Sequence, residues 1–410
     1  MGEAQESAIE QRAKIPAALL RHVRGCDDPR RRREEPKLRP MLRGVVDVVD
    51  LPPAEIDEIA LTPEPMRPDP ESETTMSSRS RRMRALIYDA PAPDASTSRV
   101  AELDVPAPEP GGVTIRVTHA GVNFKDIMAR RGDPGYVAAW PFVPGLEVAG
   151  VVHAVGTGVH ELSAGQRVTA FTGDGGLAEF VTADARHTIL TPDGLGDELA
   201  AAATGVLVSA AVLVDDLGRL RAGETVLVHG AAGGVGHAVA QYARLLGAGR
   251  LLGTVGGSAR AEAARRAGYD AVVTRGPDLA AEIRAAAGDR GVDLIFDPQG
   301  TSLLDVDLAV AAPGARIVLF GNAAGTALDA LPPLGSLMGG LLSITGFSLA
   351  ALAARDPAWL RATLGRVLAD LASGAVTLEV TLVDGLVAAV AAQQALAEGR
   401  GASKFVVAVA

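Results

Sequence analysis

Apolar residues change their spacing several times along the chain. At Met83 the sequence turns to Met83-Arg84-Ala85-Leu86-Ile87-Tyr88, an apolar, strand-like start. Residues 199–214 are uncharged and mostly apolar, broken only by Thr204, Gly205 and Ser209 and bracketed by Asp197, Glu198, Asp215 and Asp216. A membrane span needs about 20 such positions, so this stretch predicts a buried helix. A short β-branched run over 224–230 then reads as a buried parallel strand. It runs into a glycine cluster at 233, 234 and 236, followed by helical apolar spacing at Val239, Ala243 and Leu246. Strand-like segments recur over 250–254, 271–274, 292–296 and 316–320, separated by helix-compatible stretches such as 258–267. This alternation predicts an α/β chain with a doubly wound parallel sheet.

Composition divides the chain at the same place. Of the first 82 residues 31 are charged, against 57 of the 328 that follow, and those 82 hold 10 of the 25 prolines. Such a stretch cannot bury enough apolar surface to offset its ordering entropy. Residues 1–82 are therefore expected to be a disordered, dispensable extension with at most a short element over 45–59, and Met83 to be a natural start. The run Arg30 to Arg33 is answered at once by Glu34 and Glu35 and reads as a self-neutralised charge block. Over the whole chain 39 basic and 49 acidic residues give a net charge of −10, which offers no attraction to nucleic acid or anionic membranes. Cys26 is the single cysteine, so an intramolecular disulfide and a four-cysteine zinc site are both excluded, and a reducing, cytoplasmic compartment is expected.

The order strand, glycine turn, helix over 224–247 is the context in which a glycine loop binds phosphate. Gly233, Gly234, Val235 and Gly236 would let backbone approach a dinucleotide pyrophosphate, with the free N–H groups of the helix start attracting its charge. The first glycine of the usual fingerprint is replaced by Ala231. An NAD site carries an acid about 20 residues past the turn to hold the ribose 2′-hydroxyl. Here that neighbourhood reads Gly253-Thr254-Val255-Gly256-Gly257-Ser258-Ala259-Arg260. Hydroxyls at Thr254 and Ser258 and a forked donor at Arg260 suit a 2′-phosphate instead, which points to NADPH. Arg275, past the third strand, is a second candidate for that pocket or a plain loop arginine.

Residues 83–410 resemble the quinone oxidoreductase (zeta-crystallin-like) branch of the medium-chain dehydrogenase/reductase superfamily, which includes the enoyl-reductase domains of polyketide synthases. The matching words follow in family order: Gly121-Val122-Asn123-Phe124-Lys125-Asp126, Pro144-Gly145-Leu146-Glu147-Val148-Ala149-Gly150, Gly165-Gln166-Arg167-Val168, Gly175-Gly176-Leu177-Ala178-Glu179-Phe180, the 230–236 loop, Phe296-Asp297-Pro298, Phe320-Gly321-Asn322 and Lys404-Phe405-Val406-Val407. The resemblance implies a GroES-like partial β-barrel over 83–205, completed by 345–410, with a Rossmann domain over 206–344. It implies homodimerisation through Rossmann edges near 316–345. Zinc alcohol dehydrogenases of the superfamily carry a cysteine where Asn123 stands and a histidine where Leu146 stands, so no metal is expected.

The resemblance assigns Asn123 to orienting the carboxamide or the substrate oxygen, and Lys125 as a donor to that oxygen or a helix-surface lysine. It places Phe320, Gly321 and Asn322 at the nicotinamide and its ribose, and Lys404 in cofactor or domain contact. Ser209 would approach the nicotinamide or pyrophosphate, or else be a buried helical serine bonded to its own backbone. Tyr136 is read as a proton donor, a lid residue or packing, and Trp140 and Phe142 as an aromatic wall for a planar substrate or as core. The activity expected is hydride transfer from NADPH to a small-molecule quinone or enone without metal. The alternatives are a stand-alone enoyl reductase of polyketide-type intermediates and a non-catalytic NADPH-binding protein.

Overall fold

The computed structural model describes residues 81–401 and 403–409. The extension expected over 1–82, with the arginine run, the 45–59 element and Cys26, lies outside the described residues apart from Arg81 and Arg82. Strand β1 (Arg82–Tyr88) pairs antiparallel with β2 (Ser98–Asp104). The next strands are β3 (Gly112–Gly121), β4 (Glu147–Val155), β5 (Arg167–Phe171), β6 (Phe180–Asp184) and β7 (Thr188–Leu190). They join β14 (Val380–Asp384) and β15 (Lys404–Ala408) in a seven-stranded sheet of order β14-β15-β3-β4-β5-β7, with β6 paired to the first half of β3. Val113, Ile115, Val117, Val148, Val152 and Val168 alternate inward and fill its interior, as one buried face of an antiparallel sheet requires.

Between these parts runs the parallel sheet: β8 (Thr225–His229), β9 (Arg250–Val255), β10 (Ala271–Thr274), β11 (Val292–Asp297), β12 (Ala311–Leu319) and β13 (Ser343–Gly346). Their spatial order is β10-β9-β8-β11-β12-β13, and every pair is parallel. This is the doubly wound order, whose direction reverses beside β8 and leaves a crevice at the carboxyl ends of β8 and β11. The α/β class and the two-part architecture expected from the sequence are present.

The apolar stretch 199–214 lies inside the helix Asp197–Leu217, which is long and apolar enough to cross a membrane but is buried in the largest apolar cluster. Residues Thr204–Val208 and Val212–Leu217 widen into π-turns. Such turns insert an extra residue into the helical ladder and occur often at functional sites. The first of them lies against β5 and the Glu147 end of β4.

Candidate active site

The chain leaves β8 through Gly230, whose φ of 73° is accessible to glycine without strain. The tight turn that a fingerprint needs is therefore made one residue before Ala231, and the working pattern is Gly230-x-x-Gly233-x-x-Gly236. The apparent loss of the first glycine is corrected by this geometry. Helix Gly234–Leu245 follows with Gly233 as its N-cap and no side-chain cap. The N–H groups of its first turn have no acceptor within the helix and would offer an anion the positive end of the helix dipole.

Past β9, Ser258 opens a short turn at the surface. Arg260 Nη2 donates to Ala232 O at 2.9 Å and to Gly401 O at 3.1 Å. The Arg275 guanidinium lies against Gly256, where a side-chain carbon would come 2.7 Å from Nη2. Burial, and then the charge of Arg275, pull the Arg260 guanidinium below its ordinary value. Neither arginine forms a salt bridge to a carboxylate among the described residues. Arg275 against Gly256 and Arg260 against Ala232 and Gly401 thus feel each other's charge with no carboxylate paired to either among the described residues.

The other wall is built differently. Asn123 caps the helix Phe124–Arg131, and Asp126 accepts the Asn123 N–H at 2.8 Å and the Gly145 N–H at 3.0 Å. Asn123 Nδ2 donates to Glu147 Oε1 at 2.8 Å, while its Oδ1 accepts from Lys404 Nζ at 2.6 Å. Lys404 Nζ also reaches Val122 O at 2.8 Å and Glu147 Oε1 at 2.7 Å. An ammonium has three N–H donors, and Val122, Asn123 and Glu147, all in the same part of the molecule as Lys404, take all three. Glu147 Oε2 takes the Gly205 N–H at 2.5 Å from the first π-turn. A side-chain carbon at Gly205 would come 2.7 Å from Asn123 Oδ1, so only glycine fits there. Both ends of the Asn123 amide take part in this network, Nδ2 with Glu147 and Gly121 and Oδ1 with Lys404.

The remaining candidates are spread around the crevice. Lys125 Nζ donates to the Gly173 carbonyl. Arg131 pairs with Asp133 at 2.5 Å and donates to Asn322 O at 2.9 Å, tying the loop that carries Tyr136 to the segment after β12. Burial, then the Asp133 carboxylate, hold the Tyr136 phenol above its ordinary value against an opposing effect of Arg131. Asn322 Nδ2 is bonded to Thr326 O, whereas its buried Oδ1 has no partner among the described residues. Phe320 packs on the main core and donates its N–H to Asp297 O, and Gly321 is exposed with φ of 93°. Ser209 is buried immediately after the first π-turn. Trp140 and Phe142 are half-buried and pack on the barrel core, with the Phe142 ring tilted against Tyr88 at 6.3 Å.

Comparison with known proteins agrees with this arrangement. Residues 109–193 match the alcohol dehydrogenase GroES-like domain and residues 234–361 the zinc-binding dehydrogenase model. The mycobacterial protein Rv1454c, solved in complex with NADPH, is 31% identical, with a TM-score of 0.73 and coverage of 80% of this chain and 99% of that one. The chain belongs to the medium-chain dehydrogenase/reductase superfamily, in its quinone oxidoreductase branch. Quinone oxidoreductase of Escherichia coli, solved with NADPH, superposes with a TM-score of 0.72 at 25% identity over 79% of this chain and 99% of that one. A mycocerosic acid synthase-like polyketide synthase of Mycobacterium tuberculosis is 33% identical over 311 residues, which are 75% of this chain and 14% of the synthase. The chain thus spans about one-seventh of that curated relative.

Membership raises the question of zinc, because one matching model is named for it. Zinc takes a tetrahedral set of Cys, His and carboxylate ligands. Among the described residues no three His, Cys, Asp or Glu side chains come together in such a set. Asn123 and Leu146 stand at the two superfamily ligand positions, and the Asn123 amide is occupied by Glu147 and Lys404. These residues do not fit the metal. Glu147 is the member of the network that sequence reasoning gave no role. Its signal was a lone carboxylate inside the apolar word Val143-Pro144-Gly145-Leu146-Glu147-Val148-Ala149.

Proposed function

We propose that the protein is an NADPH-dependent reductase of quinones or α,β-unsaturated carbonyl compounds that works without zinc. The observation that carries the cofactor choice is the pair Arg260 and Arg275, close enough for one charge to act on the other and paired with no carboxylate among the described residues. A buried or crowded positive pair costs free energy unless an anion joins it, and a 2′-phosphate supplies one. The open helix start at Gly234, Val235 and Gly236 would hold the pyrophosphate, and the unpartnered Asn322 Oδ1 accepts a donor such as the carboxamide N–H. NADPH, when bound, supplies the hydride.

The residues of the chain then act on the substrate oxygen and on water. Hydride arriving at a carbon conjugated to a carbonyl pushes an electron pair onto that oxygen, which needs hydrogen-bond donors as its charge grows. Lys125 and the protonated phenol of Tyr136 are the donors available from the helix Phe124–Arg131 and its following loop. The proton that completes the reduction comes from Tyr136 or from solvent. Asn123 works indirectly, holding Glu147 and Lys404 so that the wall keeps its shape. An enoyl thioester is the second acceptor to consider, favoured by the similarity to the polyketide synthase.

A homodimer is part of this proposal. Strand β13 is one of the two edges of the parallel sheet among the described residues, and the preceding segment exposes Leu331, Leu334, Met338 and Leu341. The deciding experiment follows NADPH and NADH consumption against a simple quinone, a medium-chain enone and an enoyl thioester, with a chelator present. Turnover with NADPH that survives the chelator is the expected result. Activity that the chelator abolishes would overturn the metal-free reading, and NADPH binding without consumption of any acceptor would favour a binding protein.

A further inference from the structure

The parallel sheet buries a chain of polar side chains directly beneath the glycine turn. His229 is the last residue of β8 and the register partner of Thr254 on β9. Its Nδ1 lies 2.8 Å from Thr254 Oγ1 and its Nε2 lies 2.8 Å from Asp307 Oδ1, and all three side chains are buried. Asp297, at the end of β11, faces Asp307 and accepts the Gln299 N–H at 2.7 Å. The glycine loop springs from β8 one residue after His229, and the arginine-flanked turn springs from β9 two residues after Thr254. The Thr254 carbonyl also accepts the Ala231 N–H of the glycine loop at 2.9 Å.

We propose that His229 is a positioning residue: held by Asp307 and bonded to Thr254, it locks the glycine loop and the arginine-flanked turn at one spacing, so that a single dinucleotide meets both. The inference rests on the NADPH reading and adds to it the group that sets the distance between the pyrophosphate and 2′-phosphate sites. Burial holds His229 down to about 4, so the ring is neutral near pH 7 and carries one N–H. With Asp307 taking that hydrogen at Nε2, Nδ1 is left to accept from the Thr254 hydroxyl. The ring thus adds a side-chain crosslink where the two strand ends are otherwise joined by backbone bonds alone, the last of them from the Ala231 N–H to the Thr254 carbonyl. A ligand anchored at only one of the two loops does not need that crosslink, whereas one anchored at both does.

The test measures dissociation constants for NADPH and NADH by fluorescence titration of the full chain at a temperature where each variant is folded. His229→Gln and Thr254→Val are each expected to weaken NADPH roughly fivefold to tenfold, the worth of one buried hydrogen bond, and NADH by less. The double variant is expected to be no worse than the singles, because both break the same link. Thr254→Ser, which keeps the hydroxyl, is expected to bind as the parent does. Losses that add in the double variant, or that fall equally on both nucleotides, would overturn the positioning role while leaving the NADPH reading intact. A parent protein with no preference for NADPH, unaltered by Arg260→Ala, would instead overturn that reading and this inference with it.

Discussion

The two walls of the crevice treat their polar atoms in opposite ways. On the sheet side Arg260, Arg275 and the buried Asn322 Oδ1 are left without counter-charge or partner among the described residues. On the barrel side the polar ends of Asn123, Glu147 and Lys404 are all matched within the protein. Buried polar groups are costly when unmet, so on the NADPH reading the first arrangement is where the cofactor would complete the site. The second marks a support that would be complete with the crevice empty. Residue types alone do not separate the two, since both walls contain an asparagine and a basic side chain.

Substitutions can break that contrast, and the largest effect belongs to the closed wall. Glu147→Leu leaves the Lys404 ammonium buried without its counter-charge, and a loss of about 3–5 kcal/mol in stability is expected from urea denaturation. Combining it with Lys404→Met should restore part of that loss. Gly233→Val acts on the open wall: the new side chain takes the place of the pyrophosphate, so nucleotide binding should vanish in titrations while the melting temperature changes little. Arg260→Ala should raise KM for NADPH about tenfold or more, the worth of a charge-assisted hydrogen bond, and that for NADH far less, with kcat nearly unchanged in steady-state kinetics. Equal effects on the two nucleotides would count against a 2′-phosphate site.

The smallest effect concerns pH. Burial, then the charge of Asp307, raise Asp297 to about 7, and burial raises Asp307 also, whereas burial lowers His229 to about 4 against the attraction of Asp297. Between about pH 4 and 7 the folded state keeps carboxyl protons that the unfolded chain has released, so those groups make stability fall as pH rises. Between about pH 4 and 6.5 the unfolded chain protonates a histidine that the folded state keeps neutral, so His229 makes stability rise with pH. Arg275 is the remaining charged group facing the ring. His229→Gln removes only the rising limb, and its melting temperature should fall more steeply than the parent's from pH 4 to 6.5.

Much of the sheet was legible because parallel strands are buried on both faces and read as plain apolar runs. The segment 271–274 is β10 to the residue, and 250–254 falls one residue short of β9. Strand β12 begins at Ala311, before the expected 316, because Ala311 pairs with Val292 of β11; Pro313 and Gly314, the latter with φ of 83°, then bulge out of the ladder, which resumes at Arg316. The closed wall was not legible. Glu147 looks like one charge on a strand, and Asn123 meets Lys404 across 281 positions of sequence. The network under the glycine turn was missed for a similar reason: His229 and Asp307 are 78 residues apart, and only the fold brings them together.

Strand β15 sits between β14 and β3, and its Lys404 is the third corner of the closed wall. A ribosome delivers β3, the cap at Asn123 and Glu147 early, yet the strand that neutralises them emerges only after the whole parallel sheet has been made. Contacts separated by so much chain form late and carry a large loop-closure cost. The nascent barrel must therefore wait half-built, with the second half of one flank of β3 unpaired and a carboxylate in need of its ammonium, until the nucleotide-binding sheet has folded and brought the chain back.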